Sequence, residues 1–64
     1  MMKEYINVVK SGVVIRQWPG DLYSLNVVGN HILIQDKESR KISCIISPMV
    51  FDYIEIEREE VDNV

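Results

Sequence analysis

The sequence predicts an all-β fold, a small antiparallel meander or partly open barrel of five to six short strands. Three observations carry that expectation. Val and Ile make up eighteen of the thirty apolar residues, and the chain has no Ala and no Thr. Their branched Cβ atoms restrict rotation in a helix and pack well on a pleated sheet. Turn signals recur at short intervals, at Ser11-Gly12, Pro19-Gly20-Asp21, Gly29-Asn30, Asp36 to Lys41 and Ser47-Pro48. Short apolar segments lie between them, the pattern of a meander.

The first segment, residues 2–9, is ambiguous. Met2, Tyr5, Ile6 and Val9 suit a helical stripe ending before Gly12, while the β-branched content from Tyr5 to Val9 favours a strand. Val13 to Trp18 reads as a strand entering the Pro19-Gly20 turn. Gly29-Asn30 then forms a two-residue hairpin loop, because Gly readily supplies the positive φ of a primed turn. That loop sets Val28 opposite His31, Val27 opposite Ile32, Leu25 opposite Ile34 and Tyr23 opposite Asp36.

The next hairpin joins Ile32–Asp36 to Ile42–Ile46. A four-residue loop would place Ile34 against Ser43 and mix the faces. A five-residue loop, Lys37 to Lys41, pairs Asp36 with Ile42, Ile34 with Cys44 and Ile32 with Ile46. A three-residue loop keeps that register but sets Lys37 against Lys41. The five-residue form is expected, with a core face of Tyr23, Leu25, Val27, Ile32, Ile34, Ile42, Cys44 and Ile46. The opposite face takes Ser24, Asn26, Gln35, Ser43 and Ser47, together with Val28, Leu33 and Ile45. After Ser47-Pro48 a helix start competes with a strand, and the strict alternation of Tyr53-Ile54-Glu55-Ile56-Glu57 favours a turn through Met49 and a strand from Phe51 to Glu57. The organisation expected is one β domain over 1–58 and a frayed acidic tail over 59–64.

In general outline this arrangement resembles SH3-like barrels, and no motif residue assigns the chain to a family. Fold alone would not set function. A chain of 64 residues has one thin core, and small domains commonly add disulfides, a metal or a second subunit. Cys44 is the sole cysteine and His31 the sole histidine, so an internal disulfide is excluded and a Cys/His zinc site is incomplete. Self-association is the expected staple. The lone thiol suits a cytoplasmic location, and neither a secretory signal nor a membrane-spanning run is recognised.

Net charge is −3, but acidity is concentrated from Asp52 onward, where six acids face Arg58 alone. His31 lacks an identifiable orienting carboxylate, and Cys44 among Ile42, Ile45 and Ile46 suits a core filler better than a nucleophile. No enzyme, cofactor or metal site is expected. The leading expectation is a non-catalytic interaction module, a small regulator or inhibitor acting as a homodimer or on a protein partner. Leu33, Ile45 and Val28 are its candidate contacts, unless the N-terminal segment or the strand after Phe51 closes a barrel over them. Trp18 is either a core lid or a partner anchor, and Glu55 and Glu57 would dock a basic partner. The alternative is a nucleic-acid-binding small β-barrel using Arg16 and the basic loop residues Lys37, Arg40 and Lys41.

Overall fold

A computed structural model describes residues 2–60. Six strands, β1 (Met2–Lys10), β2 (Val13–Pro19), β3 (Tyr23–Val28), β4 (His31–Asp36), β5 (Ile42–Ile46) and β6 (Tyr53–Glu60), form two antiparallel three-stranded sheets. The first sheet has the order β2-β1-β6 and the second β3-β4-β5. They do not close into a barrel.

The β1–β2 hairpin turns at Ser11 (φ 54°) and Gly12 (φ 75°), the consecutive positive values of a type I′ turn. Val8 pairs with Arg16 but Val9 with Val14, so Ile15 is the extra residue of a bulge. On its other edge β1 pairs with β6 from Met2↔Glu60 to Val9↔Tyr53. Residues 2–9 are therefore strand, as their branched content favours. Glu59 and Glu60 lie within β6 rather than in a tail, because they pair with Lys3 and Met2; the remainder of the expected tail, 61–64, lies outside the described residues.

The β3–β4 hairpin has the expected register in full, and Gly29 takes φ 60° at its turn. The β4–β5 hairpin departs from expectation. Asp36 N donates to Lys41 O at 2.9 Å and Arg40 N to Asp36 O at 2.8 Å, which closes a four-residue loop with Arg40 at φ 63°. The Asp36 carboxylate accepts from Glu38 N and Ser39 N, and these bonds hold its pKa below the ordinary 3.8. Such a loop alone would have set Ile34 against Ser43. Instead Gln35 pairs with Ile42 and Ile34 with Cys44, so Ser43 bulges and the faces beyond it are restored. Ile42 consequently stands opposite Gln35 and not Asp36, and leaves the expected core for the outer face, where it is 53% exposed.

The core is small. Ile6, Val8 and Trp18 from the first sheet meet Ile34 and Ile46 from the second, with Tyr23, Leu25, Ile32, Cys44, Phe51 and Ile54 packed around them. Val27 was expected among them, yet it is 64% exposed. Its hairpin neighbour Val28, pointing the other way, is comparably exposed, so this hairpin tip extends past the cover of the first sheet. Ser47 caps a single 3-10 turn, Pro48–Val50, its hydroxyl accepting from Met49 N. The chain then enters β6, with Asp52 N donating to Val9 O at 2.9 Å. Among the described residues no helix is long and apolar enough to cross a membrane.

Candidate functional site

Alternation along β3, β4 and β5 places Ser24, Asn26, Val28, His31, Leu33, Gln35, Ile42 and Ile45 on the side of the second sheet that faces away from the core. Leu33 stands directly opposite Ile45, as its sequence position predicts, and Asn26 flanks it on the other edge. Leu33 is half-buried, while Ile45 and Val28 are 60% and 59% exposed. Neither β1 nor β6 crosses this face, because both pair within the first sheet. Barrel closure, one of the two covers expected for these residues, is thereby replaced by an open sandwich.

The face is divided along its width. Ile42 and Ile45 on β5 form an apolar edge, with Leu33 beside it. Asn26 Nδ2 donates to Gln35 Oε1 at 3.2 Å, and Gln35 Nε2 donates to Arg40 O at 2.6 Å, so the amides form a bonded polar half toward β3. No Asp, Glu, Lys or Arg lies on the face. Ile42 belongs to it only through the bulge at Ser43. No Gly marks that bulge, so the sequence carries no signal for it.

The remaining candidate residues are dispersed. Trp18 is 8% exposed and packs in the core, so it is the lid of that core and not an exposed partner anchor. The guanidinium of Arg16 lies 5.2 Å from its ring centroid. Arg16 and Ile15 of β2 border a groove of about 250 Å³, whose far wall is Cys44 to Ser47 of β5 and its exit. This groove is the open seam of the sandwich. Cys44 lies on the inner face against the core, as expected of a filler.

Glu55 and Glu57 lie on the outer side of the first sheet, beyond the core from Leu33 and Ile45. Glu55 Oε2 accepts from Asn7 Nδ2 at 3.5 Å, and Asn7 Oδ1 accepts from Gln17 Nε2 at 2.9 Å. These long side chains lean over Asn7, which is fully buried in the central strand and has both of its amide atoms bonded. The basic residues divide likewise. Lys37, Arg40 and Lys41 share the β4–β5 loop, with Lys37 Nζ donating to Gly20 O at 2.7 Å, while Arg16 lies on β2. A second cleft, of about 490 Å³, joins Lys3 and Lys37 with Glu4 and Asp21, so it has mixed sign.

His31 is exposed at the hairpin turn. Among the described residues no three His, Cys, Asp or Glu side chains converge as a metal site would require. No protein-family model matches the chain, and no curated protein or solved structure matches it either.

Proposed function

We propose that this protein is a non-catalytic interaction module, a small cytoplasmic regulator or inhibitor that works by protein–protein contact and forms a homodimer. The observation that carries the reading is the apolar group on the outer face of the second sheet, exposed Ile42, Ile45 and Val28 around half-buried Leu33, which no other described strand covers. Fully burying one such side chain is worth about 1.5–3 kcal/mol relative to leaving it exposed. A core built on five buried side chains leaves little stability to spare, so a contact that covers the apolar group supplies what a second subunit supplies to other small domains.

Sedimentation velocity over a wide range of protein concentration tests this. Association is expected for the native chain. It should be lost in Leu33→Ser/Ile45→Ser, which should keep the native far-UV circular dichroism. A native chain that remains monomeric and captures no protein from a lysate would overturn the proposal. Oligonucleotide binding at low salt that weakens steeply as salt rises would favour instead the basic-loop reading through Arg16, Lys37, Arg40 and Lys41.

A further inference from the structure

Resting on that reading, we infer that two copies stack through the outer faces of their second sheets about a twofold axis perpendicular to the strands, so that β5 lies over β5 of the other copy. The choice of a second copy as occupant follows from charge. Of the 64 residues, 27% are charged, yet the eight residues of this face include no Asp, Glu, Lys or Arg. A twofold contact sets a surface against itself, so every formal charge on it meets its own sign close by. Only a face without charges does so at no electrostatic cost. The outer side of the first sheet, with Glu55, Glu57 and Glu59 in a row opposite Asn7, Tyr5 and Lys3, would repel its own copy.

The direction of the axis follows from the division of the face. An axis parallel to the strands and centred over β4 would lay β5 over β3, bringing Ile45 onto Asn26 and Ile42 onto Ser24. That desolvates amides and hydroxyls against hydrocarbon. An axis perpendicular to the strands lays the apolar edge on the apolar edge, Ile45 near its own counterpart and Leu33 near Leu33. The bonded amides then meet amides. Three strands about 4.8 Å apart and six residues at about 3.4 Å give a sheet plan of about 300 Å². A standard contact buries about 800 Å² from each partner, so this dimer is a weak one, populated only at high protein concentration. Its two acidic faces then point outward on opposite sides.

Facing sheets lie about 10 Å apart, a span suited to a short bismaleimide rather than to a disulfide. In a Cys44→Ser background, Ile45→Cys alone should cross-link to itself at high yield. A mixture of Ile45→Cys and Asn26→Cys chains should give mainly the two homodimers, and adding Leu33→Asp should cut the yield at least about tenfold. A predominant Ile45→Cys/Asn26→Cys heterodimer, or no Ile45→Cys product in a sample that sediments as a dimer, would overturn the stacking direction while the interaction-module reading stands. A chain that sediments as a monomer at every concentration would overturn both.

Discussion

Gly20 shows how closely the end of β2 is held against β1 within the first sheet. Its amide donates to Glu4 O at 2.6 Å, and a Cβ built on it would lie 3.1 Å from that same carbonyl oxygen and 3.0 Å from Glu4 Cγ. The carbonyl belongs to paired backbone of β1 and cannot swing away as a side-chain tip would. Gly20→Ala should therefore destabilise the protein by about 1–3 kcal/mol, the range for forcing extra atoms into a packed site. Gly12 and Gly29 differ in kind, since open space surrounds both and their requirement is a positive φ. Gly29→Ala should cost about 1 kcal/mol, and urea unfolding of the two variants measures the contrast. The sequence marks all three glycines as turn residues. It does not distinguish a turn glycine from one that another strand approaches, because Glu4 reaches Gly20 only through the fold.

At the scale of elements, the β3–β4 hairpin was legible throughout. Gly29-Asn30 has a single favoured loop length, and any slip would have reversed every side chain from Tyr23 to Asp36. The β4–β5 hairpin was legible in its faces and not in its loop. Ile34 and Ile46 must point inward, which fixes Ile34↔Cys44 and Ile32↔Ile46, but a longer loop or a bulge meets that demand equally well. The structure uses the bulge, and Ile42 changes face as a result. Pairing of β1 with β6 was not legible at all, since partners about fifty residues apart leave no local trace. The bulge is directly testable. Deleting Ser43 leaves Ile42 opposite Gln35 and Cys44 opposite Ile34 in an uninterrupted ladder, so stability should change by no more than about 1 kcal/mol. Deleting Ile45 instead turns Ile46 out of the core and should cost about 2–5 kcal/mol, as large-to-small core changes do. Urea midpoints, with cross-strand contacts read by nuclear magnetic resonance, would separate the two outcomes.

For the whole molecule, extents of 42 × 31 × 14 Å describe a thin slab, and its Cα radius of gyration is 12.6 Å. A compact chain of this length is expected near about 10.7 Å. A slab has much surface for its volume, and this one bears Ile42, Ile45, Val27 and Val28 on the projecting second sheet. Stability is thus coupled to whatever covers that sheet. A contact made only by the native state raises the unfolding midpoint as its concentration rises, by RT ln(1 + [L]/Kd) for a single site. With the other copy as ligand, the thermal midpoint of the native chain should climb as protein concentration passes through the dissociation constant. At ten times that constant the expected gain is about 1.4 kcal/mol, or several degrees for a domain of this size. Leu33→Asp should remove the concentration dependence and leave a constant midpoint somewhat below that of the dilute native chain, because the half-buried Leu33 also packs within its own sheet. Trp18, buried between the sheets, reports the same transition by fluorescence as the backbone does by circular dichroism, provided the two sheets unfold together. A midpoint that ignores concentration while the two probes coincide would mean that the slab is stable uncovered, and that the apolar face adds nothing to the fold.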